Sequence, residues 1–213
     1  EIIGNGSFGP VKPILTLGDD IGGIGVADFN RDGLLDFVTG NDVDNFVYFV
    51  KNIGNKSFAA PVRVGSSVSL SAVTHDVAVA DFNKDGFFDF VITGNNDDIY
   101  LFRGVGNGSF ITTTITIDAP GTAGRAKDAG DLNEDGKVDF IYGEFFTGTM
   151  TAYLGNGDFT FNQTFLFDTS GNSNEAFGAS IADFDGDARL DIIAEGGGDG
   201  EFRLYKGKGD GKT

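Results

Sequence analysis

Four nine-residue stretches place oxygen-bearing side chains at the same positions: Asp28 to Asp36 (DFNRDGLLD), Asp81 to Asp89 (DFNKDGFFD), Asp131 to Asp139 (DLNEDGKVD) and Asp183 to Asp191 (DFDGDARLD). Oxygens at loop positions 1, 3, 5 and 9 suit a hard divalent cation, and Ca²⁺ accepts six to eight of them at flexible geometry. The side-chain candidates are Asp28, Asn30, Asp32 and Asp36, then Asp81, Asn83, Asp85 and Asp89. Asp131, Asn133, Asp135 and Asp139 follow, and then Asp183, Asp185, Asp187 and Asp191. Such a chain would hold about four Ca²⁺ ions, one per loop. Without metal the loops would be acidic turns that cap strand pairs, but carboxylates packed within about 5 Å repel one another unless a cation neutralises them. An EF-hand opens in the same way, yet it needs a bidentate Glu at position 12 and flanking helices. Position 12 here is Thr39, Ile92, Tyr142 and Ala194, which excludes that reading.

Gly33, Gly86 and Gly136 stand at position 6, where the loop must turn sharply and a residue without Cβ tolerates φ > 0. The fourth loop has Ala188 there, with Gly186 at position 4, and it carries an additional acid, Asp185, in place of Asn. The added charge should strengthen cation binding, and the displaced glycine should weaken it.

The elements that must hold these loops repeat with them. Successive loops begin 53, 50 and 52 residues apart, and a second landmark keeps step: GNGSF at Gly4, GNKSF at Gly54, GNGSF at Gly106, GNGDF at Gly155 and GKGDG at Gly207. A period of about 50 residues with strand-like content points to a propeller or solenoid. Before each loop lies a short run of small residues (GIGVA, VAVA, ASIA), and after it an aromatic and β-branched run ended by Gly (DFVTG, DFVITG, DFIYG, DIIAEG). A third run and a fourth flank the GNGSF turn, so each unit has the four strands of one propeller blade. The prediction is an all-β fold of four-stranded antiparallel blades in one repeat domain, with units over about 19–68, 69–120, 121–170 and 171–213. A strand at Val11 to Leu17, within residues 1–18, is expected to complete the last blade, either of its own chain or of a neighbouring molecule.

Ala27 and Gly25, Ala80 and Ala78, and Ala182 and Ser180 precede the loops at matching positions and are expected at the crowded centre where blades converge. Lys127 and Asp128 break that rule in the third unit, as a local ion pair at a wet channel or as part of a ligand site. Phe29, Phe82 and Phe184, with Phe8, Phe58, Phe110 and Phe159, recur in register and read as staples of the blade cores. Lone His75 has no nucleophile motif beside it and reads as structural. The sequons at Asn5, Asn55, Asn107 and Asn162 fit glycan attachment, and three of them fit plain turn chemistry equally well.

The DFNxDGxxDF loop together with the GNGSF turn resembles the FG-GAP and VCBS repeats of integrin-α-like β-propellers, over essentially the whole chain. That resemblance implies a loop joining the first two strands of each blade, with Ca²⁺ held by side chains at positions 1, 3, 5 and 9 and by the backbone carbonyl at position 7. The carbonyls would be those of Leu34, Phe87, Lys137 and Arg189. Seven blades are usual in the family, and four repeats depart from that. A four-blade unit that closes or self-assembles and a fragment of a larger propeller both remain open.

A formal charge of −17, from 15 Lys+Arg against 32 Asp+Glu, lacks the basic footprint that a phosphate backbone demands and excludes nucleic acid as a partner. Positions 1, 3, 5 and 9 of the loops hold thirteen of the acids, and four Ca²⁺ would bring −17 to −9. No run approaches the roughly 18 apolar residues of a membrane span, so membrane insertion is not expected. The chain begins at Glu1 without a signal-peptide pattern, which suggests processing or excision from something longer. No cysteine is present, so disulfides and thiolate–metal sites are excluded and the redox compartment is left undecided. Open calcium loops of weak affinity need millimolar Ca²⁺, which favours an extracellular or cell-surface location.

The function these features imply is a calcium-stabilised, secreted recognition or adhesion module with a glycan or extracellular protein as ligand. A subunit of an extracellular assembly, self-associating through terminal strands, is the alternative. An accessory domain of a polysaccharide-active enzyme is a third. No general acid, nucleophile or transition-metal cluster stands out, so catalysis is not expected.

Overall fold

Short aromatic and β-branched runs separated by glycine turns form seventeen strands in the computed structural model, with no helix among the described residues. The structure describes residues 10, 12–18, 21–41, 43–65, 76–93, 98–116, 124–144, 147–168, 178–195 and 201–211. Phe8, His75 and the Asn5 sequon lie outside them.

Blade 1 comprises β1 (Ile21–Ala27), β2 (Asp36–Asn41), β3 (Phe46–Val50) and β6 (Val62–Val64), with a small ribbon of β4 (Asn52–Gly54) and β5 (Ser57–Phe58) before its last strand. Blade 2 runs β7 (Val77–Ala80), β8 (Asp89–Thr93), β9 (Asp98–Gly104) and β10 (Phe110–Thr116). Blade 3 runs β11 (Gly124–Gly130), β12 (Asp139–Glu144), β13 (Thr149–Gly155) and β14 (Phe161–Asp168). Blade 4 has three described strands, β15 (Ala179–Ala182), β16 (Asp191–Glu195) and β17 (Phe202–Tyr205). Within each sheet, sequence neighbours pair antiparallel, and the whole is the four-blade β-propeller that the period predicts.

The second strand of a blade is covered on both faces, which is why it reads as an unbroken apolar run: every residue of β2, β8 and β12 is buried. The hydrophobic cores lie between blades. One joins Phe29, Val38 and Phe49 of blade 1 to Phe90, Tyr100 and Phe102 of blade 2. The second joins Phe82, Val91 and Leu101 to Phe140, Tyr142 and Tyr153, and the third joins Leu132, Ile141 and Met150 to Ile192 and Ala194.

Each junction has a knob. The Phe29 ring meets Phe90 and Phe110 edge-on at 6.2 and 5.4 Å, and Phe82 meets Phe140 and Phe161 at 6.2 and 5.9 Å. Such contacts add about 0.5–1.5 kcal/mol beyond area burial. Phe58, Phe110 and Phe159 are partly buried. Phe184 departs from the expected role of core staple: it is 44% exposed, against 2% for Phe29 and 1% for Phe82, because no following blade covers it among the described residues.

The inner strands β1, β7, β11 and β15 lie side by side in that order. A Cβ built on Gly25 would stand 2.6 Å from Val79 Cγ2 and 2.7 Å from Val77 Cγ1, so only glycine lets β7 approach. Ala27 and Ala78 are buried as expected, whereas Ser180 is exposed. Lys127 and Asp128 do not pair with each other. Lys127 Nζ reaches back to Asp76 Oδ2 at 2.8 Å, while Asp128 Oδ2 accepts Ser180 Oγ at 2.9 Å and Ile181 N at 2.8 Å. Burial lowers the Lys127 pKa, and Asp76 opposes that shift. The third inner strand is thereby tied to both neighbours.

The expected strand at Val11 to Leu17 is not formed: residues 12–18 have no strand, and Val11 lies outside the described residues. Pro13 has no N–H to donate to a ladder. The segment lies against blade 1, where Leu17 O accepts Asn41 Nδ2 at 2.7 Å.

Candidate metal centres

Each acidic loop joins the first and second strands of its blade, and the backbone folds onto the side-chain oxygens in the same way all four times. In loop 1, Asp32 N donates to Asp28 Oδ1 (3.1 Å) and Asn30 Oδ1 (3.0 Å), Gly33 N to Asp28 Oδ2 (2.8 Å), and Leu34 N to Asp32 Oδ1 (3.0 Å). Loop 2 repeats this through Asp85 N, Gly86 N and Phe87 N onto Asp81, Asn83 and Asp85. Loop 3 uses Asp135 N, Gly136 N and Lys137 N onto Asp131, Asn133 and Asp135. Loop 4 uses Asp187 N, Ala188 N and Arg189 N onto Asp183, Asp185 and Asp187. Positions 1, 3 and 5 are thus gathered around one centre, with the position 7 residue turned in by its N–H.

Position 6 is left-handed throughout: φ is 84° at Gly33, 84° at Gly86, 75° at Gly136 and 70° at Ala188. Position 4 is left-handed too, at 60° in Arg31, 60° in Lys84, 57° in Glu134 and 82° in Gly186. Every loop therefore has one glycine and one strained side chain, and the fourth merely exchanges the two. A non-glycine residue there costs roughly 1–2 kcal/mol. The glycine at position 4 is not misplaced, and loop 4 keeps the hydrogen-bond pattern of the others.

The position 9 acids serve a purpose that the sequence does not reveal. Asp36, Asp89, Asp139 and Asp191 are fully buried. One oxygen of each accepts an N–H from the far side of the blade: Asn52 N, Gly104 N, Gly155 N and Gly207 N at 2.8, 2.8, 2.8 and 2.9 Å. In loops 2 to 4 the other accepts the position 2 N–H, from Phe82, Leu132 and Phe184 at 2.9, 2.8 and 3.1 Å. In loop 1 it accepts Asn30 Nδ2 at 2.9 Å. These carboxylates pin loop to sheet, and each oxygen keeps a further lone pair. Burial raises the pKa of Asp89 to about 7 and of Asp139 to about 6, against the pull of those N–H groups. Asp36 is raised for the same reason.

Cations hold the outward oxygens. Lys51 pairs with Asp32 at 3.0 Å, Arg103 with Asp85 at 2.9 Å, Lys137 with Asp135 at 3.0 Å and Lys206 with Asp185 at 2.5 Å. The bonds from Lys51 and Lys206 lower the pKa of Asp32 and Asp185. Burial pushes Asp85 and Asp135 up, but their hydrogen-bond donors, Asn83 and Arg103 for one and Lys137 for the other, leave both below the ordinary carboxylate value. A sequence signal for these partners exists: in three units a basic residue follows position 9 by 14 or 15 residues, and in the third Lys137 takes its place.

The donor set fits Ca²⁺. Every candidate ligand atom is oxygen, and one oxygen from each of Asp183, Asp185 and Asp187 lies within 4.8 Å of the others. Ligands around one ion at Ca–O distances of about 2.3–2.6 Å stand no more than about 5 Å apart. The sequon residues Asn55, Asn107 and Asn162 are exposed. Asn107 Oδ1 accepts Ser109 N at 2.9 Å, which is turn chemistry.

Antiparallel blades, each opened by an oxygen-lined loop between its first two strands, define a repeat β-propeller. The chain belongs to the FG-GAP-like repeat family, whose model matches residues 28–92, 81–142 and 131–194. Mouse cartilage acidic protein 1 is 32% identical over 95 residues, covering 44% of this chain and 15% of that protein. A solved Agrocybe aegerita lectin, described as recognising non-reducing terminal N-acetylglucosamine, matches with a TM-score of 0.54 at 23% identity, over 87% of this chain and 52% of its own. BBS1N in complex with ARL6DN matches with a TM-score of 0.53 at 15% identity, over 87% of this chain and 50% of its own. These two likenesses are of fold. The chain spans about half the length of both solved chains and 15% of the curated relative. Among the described residues no helix is long and apolar enough to cross a membrane.

Proposed function

We propose that this chain is a calcium-binding, non-catalytic recognition module of the cell exterior, taking a glycan or protein ligand at loops between blades. The observation that carries this reading is the fourfold repetition of one oxygen-lined loop with the same backbone geometry. Asp28, Asn30 and Asp32 and their counterparts would hold the ion, with the carbonyls of Leu34, Phe87, Lys137 and Arg189 and the position 9 acids completing the set. The ion would supply neutralisation and rigidity. At free Ca²⁺ of about 100 times Kd, each site adds about 2.7 kcal/mol of stability. Millimolar calcium outside cells suits open sites of this kind. The fold likeness to a glycan-binding lectin supports a sugar as the ligand class.

Calorimetric titration of metal-free protein should count about four Ca²⁺ per chain, one for each loop. The triple variant Asp32→Ala, Asp85→Ala and Asp135→Ala should retain only the fourth site. A glycan array probed with and without EDTA then tests recognition. If the triple variant takes up calcium like the parent, the site assignment is wrong; an array silent in calcium removes the sugar.

A further inference from the structure

The side chain at loop position 4 belongs to no donor set, and in three loops it leaves its own loop for the next one. Arg31 of loop 1 lies over the Phe87 ring of loop 2, its Cζ 5.3 Å from the centroid, within reach of a cation–π contact. Glu134 of loop 3 meets Arg189 of loop 4, Oε1 to Nε at 3.3 Å. Phe87 and Arg189 both stand at position 7, whose carbonyl belongs to the proposed donor set. Lys84 of loop 2 goes the same way but finds a different partner. A Cβ on Gly136 of loop 3 would stand 3.7 Å from Lys84 Nζ, and one on Gly157 would meet the stems of both Lys84 and Lys137, so two lysines share that side.

Each of these arms leaves from a left-handed residue, with φ of 60° at Arg31, 60° at Lys84 and 57° at Glu134. The base of the arm is fixed by the oxygens of its own loop, since the amide that follows Glu134 donates to Asp131 and Asn133. The blades set how far the arm must reach. Gly108 N donates to Phe29 O at 3.3 Å and Gly211 N to Leu132 O at 3.2 Å, so position 2 of loops 1 and 3 is held by a turn of the following blade. Each of those turns starts at a glycine, Gly104 or Gly207, whose N–H is held by the position 9 acid of that blade's own loop, Asp89 or Asp191.

We propose that calcium enters the four loops as two coupled pairs, loops 1 and 2 and loops 3 and 4, with Arg31 and Glu134 as the positioning residues that carry the coupling. This rests on the calcium reading above. Filling loop 3 fixes the base of the Glu134 arm, and the arm then holds Arg189, so loop 4 has less freedom to lose when it is filled in turn. The coupling is reciprocal, and a filled loop 4 favours loop 3 by the same factor. Between loops 2 and 3, where lysine approaches lysine, no favourable coupling is expected.

Calcium titration of the metal-free chain, followed in amide NMR spectra, tests this loop by loop. The amides of Gly33, Gly86, Gly136 and Ala188 each donate to the first acid of their own loop, so each signal reports one site. Asp187→Asn disables loop 4 and should weaken calcium at loop 3, read at Gly136, about fivefold, while loops 1 and 2 stay within about twofold. Asp135→Asn should weaken loop 4, read at Ala188, by the same factor. Charge alone gives the opposite sign, because an empty neighbour is more negative and draws calcium more strongly. In a Glu134→Gln background the effect of Asp187→Asn on loop 3 should fall below about twofold, and the exchanged pair Glu134→Arg with Arg189→Glu should bring it back. Arg31→Gln should likewise cancel the effect of Asp85→Asn on loop 1. Asp183→Asn replaces Asp187→Asn if that variant loses its spectral dispersion. An effect under about twofold in the parent chain, or one that survives Glu134→Gln, overturns the proposal. Amide signals that ignore calcium in every loop would instead remove the metal reading on which it stands.

Discussion

Asp85 and Asp89 sit four positions apart in one loop, and the structure gives them opposite duties. Asp85 is an outward carboxylate paired with Arg103, while Asp89 is fully buried and accepts Phe82 N and Gly104 N. Removing Asp89 leaves two buried donors unmet, so Asp89→Ala should cost roughly 2–5 kcal/mol already in EDTA, and in calcium the loop should lose a ligand as well. Asp85→Ala should instead abolish the stability that calcium adds at that loop and change little in EDTA. Thermal melts of both variants in both buffers distinguish these duties; equal losses in EDTA would refute the division. The sequence does not separate them, because an acid at position 9 looks the same as a ligand or as a staple. The left-handed turn at position 4 is hidden for a similar reason. Arg31, Lys84 and Glu134 carry no sign of positive φ, whereas Gly33, Gly86 and Gly136 announce it two residues later.

At the scale of the element, loop and hairpin titrate together. Asp89 and Asp139 have folded pKa values of about 7 and about 6, raised from 3.8, so their contribution to stability is complete below pH 3.8 and is lost as pH climbs through those values. Asp32, Asp85, Asp135 and Asp185 are shifted the other way, and their contribution is already present above the ordinary carboxylate range. The metal-free protein should therefore melt at a lower temperature at pH 7.5 than at pH 5, and saturating calcium, which holds the carboxylates ionised, should flatten that slope. A calcium-free melting point that rises over the same interval would contradict the assignment. Strand order was legible in the chain because small inner runs, two-sided apolar runs and glycine turns recur in step. The segment Lys12–Gly18 was not: its apolar residues suggest a strand, and Pro13 withholds the N–H that a ladder needs.

For the whole molecule, the period foretold the propeller, and the recurrence of Phe at loop position 2 foretold the knobs. Recurrence could not tell that Phe184 is without a cover among the described residues, since burial depends on a neighbour that no local pattern encodes. Phe82→Ala, in the junction of blades 2 and 3, should cost about 3–5 kcal/mol and lower the melting point by about 10 °C. Hydrogen exchange in β8 and β12 should accelerate together in that variant, one strand from each side of the junction. Protection lost from β8 alone would show that the blades hold their cores separately.

The interleaved cores also bear on how such a chain can change in length. A single unit cut out would carry two half-cores and no whole one, so roughly fifty residues would be left without an interior of their own. Duplicating or deleting an entire unit, by contrast, adds or removes one junction and leaves the rest of the architecture matched. Growth by whole modules is the only increment that this packing tolerates.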